Sequence, residues 1–142
     1  MRFREVIRPP LWLMALYAAL FGSCVFALWA ALDTRATLLS AALSLLTLMW
    51  IWWKSPLKIS VDDELRVGQA HIELRYIKSV VILDERAMSL ARTRDADPAA
   101  FLALRFWSPT GVKVILDDPR DPTPYWLITT RRGEELKRAL GR

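Results

Sequence analysis

The sequence predicts an α-helical transmembrane hairpin over residues 1–54, followed by a small mainly-β (α+β) domain over residues 55–142. The domain is expected as a split barrel or sandwich closed by a C-terminal helix. Three observations predict this. Two long apolar runs fill the first part of the chain, short runs of alternating polarity follow Pro56, and the C-terminal residues return to helical spacing. A chain of 142 residues with mean hydropathy +0.20 has room for one modest domain beside such a hairpin.

The hairpin comes first. From Leu11 to Leu32 no residue is charged, and a helix of about 22 residues rises about 33 Å, enough to cross a hydrocarbon core of about 30 Å. After Asp33-Thr34-Arg35, the run from Ala36 to Trp53 supplies a second, shorter span. Trp12 and Trp29 mark the ends of the first span, and Trp50, Trp52 and Trp53 cluster where the second one returns. Tryptophan suits the headgroup boundary because its ring is apolar and its N–H stays wet.

Charge sets the orientation. The chain carries a net +5, which raises the question of nucleic acid, yet the excess is not on the β-rich part. Before Ser55, Arg2, Arg4, Arg8, Arg35 and Lys54 face only Glu5 and Asp33, a net +3, and the remainder is nearly balanced at +2. Positive charge at the membrane edge orients helices and attracts anionic headgroups, so no nucleic-acid partner is expected. Arg2, Arg4, Arg8, Lys54 and Lys58 outweigh the single Arg35 of the connecting turn. The expectation is a multi-pass protein of the plasma membrane with both termini cytosolic. A competing reading takes Ala27 to Ala31 as the end of a signal peptide, although the apolar run exceeds a usual signal core. The lone cysteine, Cys24, lies inside the first run, so no disulfide forms within the chain.

Along the first span, Ala15, Ala19, Ser23, Ala27 and Ala31 repeat at intervals of four. Such a flat face admits close backbone approach. It serves either the Ser40 and Ser44 side of the second helix or another copy of the protein, or is a chance product of an alanine-rich helix.

Seven candidate strands follow: 57–61, 64–67, 70–75, 77–83, 101–107, 112–116 and 125–129. Asp62-Asp63 and Ser108-Pro109-Thr110-Gly111 supply turns. The stretch 84–100 reads as a connection with one or two helical turns around Ala87, Met88, Leu90 and Ala91. Its Arg86, Arg92 and Arg94 form either a membrane-facing basic loop or a solvated one. Leu136, Ala139 and Leu140 recur at helical spacing, with Glu134-Glu135 at the start and Lys137-Arg138 at the end of the element. That order complements a helix macrodipole, and Gly141 is placed to stop the helix.

The segments Asp97-Pro98-Ala99-Ala100-Phe101, Arg105-Phe106-Trp107 and above all Leu116 to Arg131 (LDDPRDPTPYWLITTR) resemble the actinobacterial domain-of-unknown-function 3093 family. The likeness covers most of the chain and includes the hairpin and Glu64-Leu65-Arg66-Val67-Gly68. Phe106 departs from it, standing where proline is expected after the arginine. The resemblance implies an uncharacterised membrane protein and supplies no catalytic residue. The order of helical hairpin, strands and closing helix also resembles membrane-anchored bacterial pleckstrin-homology-like (PH-like) domains, in architecture alone.

Candidate site residues cluster late in the chain. Asp117, Asp118 and Asp121 lie in a loop stiffened by Pro119, Pro122 and Pro124. Three carboxylates so close can bind a divalent cation or a basic partner, and equally can cap turns with no ligand. Tyr125 and Trp126 follow on a strand, where neighbours face opposite sides, so one is expected in the core and the other exposed or at a pocket. Arg105, Arg131 and Arg132 are available to pair with the aspartates or to contact phosphate. His71 is expected half-buried on its strand. No serine stands in a Gly-x-Ser-x-Gly setting, and neither a Cys/His zinc cluster nor a phosphate-binding glycine loop is present. These absences lead to the expectation of a non-enzyme without cofactor or metal, a membrane-anchored interaction or scaffold module whose Asp117-to-Trp126 surface meets a protein or lipid-headgroup partner at the inner leaflet, with the lipid bilayer and a protein partner or second copy as the partners expected. The alternatives are an accessory subunit of an envelope or transport complex, and a metal-assisted enzyme using Asp117, Asp118 and Asp121.

Overall fold

A computed structural model describes residues 2–141. The chain divides into two units: Arg8–Pro56 forms one, and the residues up to Ile7 join those from Leu57 onward in the other.

In the first unit, helix α1 spans Leu11–Ala31 and helix α2 spans Thr34–Lys54, each long and apolar enough to cross a membrane. Pro9 and Pro10 precede α1, and the Pro10 carbonyl accepts the N–H groups of Leu13 and Met14. The expected turn at Asp33–Arg35 is shorter in fact. Asp33 caps α2 by accepting the Ala36 N–H at 3.0 Å, so Thr34 and Arg35 already belong to the helix. Ser23, Ser40, Ser44 and Thr47 donate their hydroxyls to carbonyls three or four residues back. This internal pairing leaves no hydroxyl hydrogen of theirs unsatisfied in an apolar surrounding.

The second unit begins with a strand inside the segment expected as part of the helical hairpin. β1 (Phe3–Ile7) pairs antiparallel with β2 (Leu57–Val61) over five positions, from Phe3↔Val61 to Ile7↔Leu57. β3 (Glu64–Val67) and β4 (Ala70–Glu73) complete an antiparallel sheet of order β1-β2-β3-β4. The Val67↔Ala70 register leaves the two-residue loop Gly68-Gln69, whose positive φ of 64° at Gly68 suits the glycine of a type II′ turn. The fourth strand ends at Glu73, short of the expected Arg75, because Leu74–Tyr76 winds into a 3-10 turn.

The second sheet has the order β5-β7-β8-β6, from β5 (Ile77–Leu83), β6 (Phe101–Ala103), β7 (Gly111–Leu116) and β8 (Tyr125–Thr129). β6 runs parallel to β8 and does not touch β7, so Ser108–Gly111 is no hairpin turn. The tight turn lies earlier, closed by the Ser108 N–H on the Arg105 carbonyl at 3.1 Å, with Phe106 and Trp107 at its corner. Phe106 thus occupies the second turn position, which proline favours and other residues also fill. The strand expected over 101–107 stops at Ala103 for this reason.

The described residues therefore form eight strands in two sheets and not a closed barrel. The main core lies between them: Ile59, Val61 and Leu65 from the first sheet meet Val112, Val114, Trp126 and Ile128 from the second. Helix α4 (Gly133–Leu140) seals this core with Leu136 and Leu140. Helix α3 (Glu85–Arg92), capped by Asp84 on the Ala87 N–H at 2.8 Å, covers the other face of the second sheet. There Met88 packs with Leu83, Tyr125 and Leu127. β8 is consequently buried along its whole length and on both faces.

Candidate functional site

The loop from Asp117 to Pro124 joins β7 to β8 and is held to the first sheet's end of the unit by Tyr76. The Asp117 N–H donates to the Tyr76 carbonyl at 2.8 Å, and Arg120 Nη2 donates to the Tyr76 hydroxyl at 2.7 Å. Arg75 and Arg120 both place their guanidinium groups by the Tyr76 ring, at 4.8 and 5.3 Å from its centre.

Two of the three aspartates act on the loop itself. Asp118 Oδ1 accepts the Arg120 N–H at 2.9 Å and lies 3.5 Å from Arg120 Nε. Asp121 Oδ1 accepts both the Thr123 hydroxyl at 2.6 Å and the Thr123 N–H at 2.9 Å. The Thr123 hydroxyl bond, followed by the Thr123 N–H bond, holds the Asp121 carboxyl below its ordinary pKa. Only Asp117 is exposed without such a side-chain bond. Among the described residues no group of three or more His, Cys, Asp or Glu is placed to hold a metal ion, and Asp118 and Asp121 serve as turn caps.

Beside the loop lies a shallow depression of about 190 Å³, rimmed by the acids Glu64, Glu73, Asp118 and Asp121 with Arg120 and His71 between them. Glu64 pairs with Arg66 and Glu73 with Arg75. His71 is exposed on β4, because its inward neighbour Ile72 takes the core position. The half-buried placement expected of this histidine does not occur.

Tyr125 and Trp126 face opposite sides, as a strand requires, but neither is exposed. The second sheet is covered on both faces, so each enters a core. Trp126 packs against Phe101, ring centres 4.7 Å apart, in the core between the sheets. Tyr125 lies under α3, with Lys113 Nζ 4.0 Å from its ring centre, and its hydroxyl accepts the Asp97 N–H at 3.1 Å. Neither ring is exposed, but Trp126 also lines the depression beside the loop, so one of the pair lies under α3 and the other at the edge of a pocket.

The arginines expected to answer the aspartates are placed elsewhere. Arg131 is exposed, and its N–H donates to Glu5 Oε1 at 3.1 Å. Arg132 forms a two-point ion pair with Glu135, Nε to Oε1 at 2.9 Å and Nη2 to Oε2. That bond raises the Arg132 pKa and lowers the Glu135 pKa. The Arg105 N–H donates to Thr129 Oγ1 at 3.0 Å, and its guanidinium lies 5.9 Å from the Trp107 ring centre. Of the arginines at 86, 92 and 94, Arg92 turns inward and donates to the Ser108 carbonyl at 2.9 Å, and burial lowers its pKa.

On the helices, Trp12, Trp29, Trp50 and Trp53 are exposed and Trp52 is half-buried. The small-residue stripe Ala15, Ala19, Ser23, Ala27 and Ala31 is exposed at every position. The more buried positions of α1 are instead Leu13, Met14, Tyr17, Phe21, Val25 and Leu28, and those of α2 include Ser40, Ala41, Ser44 and Leu48. Ser40 and Ser44 thus lie on a half-buried face while the stripe does not, which disfavours packing of the stripe on α2.

The residue that sequence reasoning missed is Glu5. Its carboxylate accepts the Thr130 hydroxyl and the Arg131 N–H. In Phe3-Arg4-Glu5-Val6-Ile7 the inward positions are 3, 5 and 7, so a glutamate interrupts the apolar alternation that would have marked a strand.

A family model described as a protein of unknown function (DUF3093) matches residues 2–140. No curated protein and no solved structure matches the chain. With its helical pair, both sheets and the closing helix all inside the matched range, the chain belongs to the DUF3093 family.

Proposed function

We propose that this chain is a non-enzymatic interaction or scaffold module, anchored in the plasma membrane by a two-span hairpin. Both termini and the β-rich unit lie in the cytosol, and the rim around Asp117, Asp118, Asp121 and Trp126 meets a protein partner at the inner leaflet, with Tyr125 under α3 and Arg131 beside Glu5 lying outside it. The observation that carries the reading is the β1–β2 pairing. The strand before the apolar helices and the strand after them share one sheet, which supports a topology with both flanks of the hairpin on one side of the bilayer. The basic residues of those flanks favour the cytosolic side. Removal of the N-terminal segment as a signal peptide would cost the unit its edge strand, which weighs against that alternative.

For the partner, the support is the shape-holding of the loop. Its caps and its tie to Tyr76 present an acidic rim in one conformation, suited to a basic segment of another protein. A PH-like kinship and an actinobacterial origin belong to this reading too. The closing helix favours the former, and the parallel β6–β8 pair weighs against it. The metal-assisted enzyme loses support with Asp118 and Asp121 engaged as caps.

A second reading, an accessory subunit of an envelope or transport complex, is favoured by the exposed small-residue face of α1, which suits a foreign helix or a second copy. Crosslinking through the exposed Cys24 tests the second copy. The principal test is purification from membranes in mild detergent with identification of what accompanies the protein. Asp117→Lys is the variant of choice because that side chain has no bond within the fold. Loss of a companion from the variant supports the module, and retention of all companions refutes the role of the rim.

A further inference from the structure

A second, oppositely charged site stands apart from the acidic rim. Between the edge strand β1 and helix α4 lies a cleft of about 570 Å³, walled by Phe3 and Ala139 and lined by Arg2, Arg4, Arg132 and Arg138 with the single acid Glu135. Four cations meet one anion there. That anion is already committed, since both of its oxygens are taken by Arg132. Arg132 is fixed further, with its guanidinium 5.2 Å from the Phe3 ring centre and Nη1 3.5 Å from the Arg4 carbonyl. Arg2, Arg4 and Arg138 are exposed. None of the three is among the ion pairs of the described residues.

Like charges gathered in a concavity repel one another and concentrate a positive potential, which a bound anion relieves. Guanidinium groups match phosphate in particular, because their planar N–H fork meets two oxygens at once. We propose that this cleft binds a phosphate group, with Arg2, Arg4 and Arg138 contacting its oxygens and the Arg132–Glu135 pair serving as the fixed wall. The contacting residues come from opposite ends of the chain and are brought together by β1 pairing with β2 and α4 closing the core. The phosphate is either that of a lipid headgroup or a free phosphate, and this inference goes beyond the acidic rim and does not depend on it.

The test uses the full chain in phospholipid nanodiscs and reads arginine modification by phenylglyoxal, residue by residue, by mass spectrometry. Inorganic pyrophosphate is added to discs of phosphatidylcholine in one arm. In the other, discs containing phosphatidylglycerol replace it. Protection of Arg2, Arg4 and Arg138, with Arg66, Arg94 and Arg131 unprotected, is the expected result. Protection by pyrophosphate alone identifies a soluble phosphate, and protection by phosphatidylglycerol alone identifies a headgroup. The double variant Arg4→Gln, Arg138→Gln is expected to bind pyrophosphate at least about tenfold more weakly, the worth of one charge-assisted contact. Should that variant unfold, Arg2→Gln alone serves. Equal protection of all six arginines, or of none in either arm, overturns the proposal, whereas Asp117→Lys leaves the protection unchanged.

Discussion

The carboxylate of Glu5 on β1 accepts the hydroxyl hydrogen of Thr130 just past β8, joining residues 125 positions apart. Thr130 is itself buried, and its carbonyl accepts the Thr110 hydroxyl at 2.8 Å while its own Oγ1 accepts the Arg132 N–H at 3.1 Å. The pair therefore fastens the N-terminal strand to the start of α4. Glu5→Ala is expected to destabilise the β-rich unit by about 1.5–3 kcal/mol, the range for a hydrogen bond to a charged group. Thr130→Val should cost a similar amount, and the double variant less than the sum, with a coupling of about 1 kcal/mol in a thermal or denaturant unfolding cycle. Strict additivity would show that the two side chains do not act together.

Gly111 begins β7 where a Cβ would lie 2.4 Å from the Ile128 carbonyl oxygen and 2.7 Å from Met88 Cε. The methionine can move, but the strand backbone cannot do so without opening the β7–β8 pairing. Gly111→Ala is expected to cost about 1–3 kcal/mol or more through overpacking. Gly22→Ala in α1, where beyond the adjoining backbone of its own helix no atom lies within 4 Å of the added carbon, should leave the unfolding midpoint of the β-rich unit unchanged.

Trp126 is buried to 5 % exposure against Phe101, so Trp126→Ala is a core truncation. A loss of about 3–5 kcal/mol is expected, visible as a lower unfolding midpoint whether or not any partner is present. Asp117→Ala should leave the midpoint unchanged. A Trp126→Ala protein of native stability would contradict the packing.

Asp121 has a folded-state pKa lowered by its Thr123 bonds. A lowered folded value means that the carboxylate's stabilising contribution is complete above the unfolded pKa and is lost as pH falls through the folded one. Thr123→Ala removes the larger of the two bonds and should move the Asp121 titration upward, toward an ordinary aspartate, in a carboxyl-detected NMR titration. The same titration in wild type and variant would show the bond to be without effect.

In the hairpin, the half-buried seam of α1 runs through Tyr17, Phe21 and Val25, and the stripe through Ala19, Ser23 and Ala27 faces away from it. Ala27→Leu is accordingly expected to leave helix pairing intact, and Ser44→Trp on the half-buried side of α2 to disturb it. Crosslinking between cysteines introduced across the two helices, in Cys24→Ala background, distinguishes the cases.

The sequence by itself determined whatever rests on local pattern. Length and apolarity marked both helices to within two or three residues, alternation and turn residues marked β2, β3, β5 and β8, and helical spacing with charge order marked α4. The Leu116–Arg131 run pointed to the family. Tertiary structure alone decided how distant segments meet. Phe3–Ile7 becomes a strand because β2 offers it a pairing edge, although Glu5 breaks its alternation, and Arg2 and Arg4 join the β-rich unit while Arg8, Arg35 and Lys54 stay with the helices. β6 pairs in parallel with β8, so the segment between Ala103 and Gly111 turns at Phe106 and not at Pro109. Trp126 and Tyr125 are both covered because the second sheet has a core on each face, which no single strand's pattern reveals. Two of the three aspartates that composition marked as a site, Asp118 and Asp121, are engaged within their own loop. The arginine cleft assembles from Arg2, Arg4, Arg132 and Arg138, whose separation along the chain hides a convergence that only the closed fold produces.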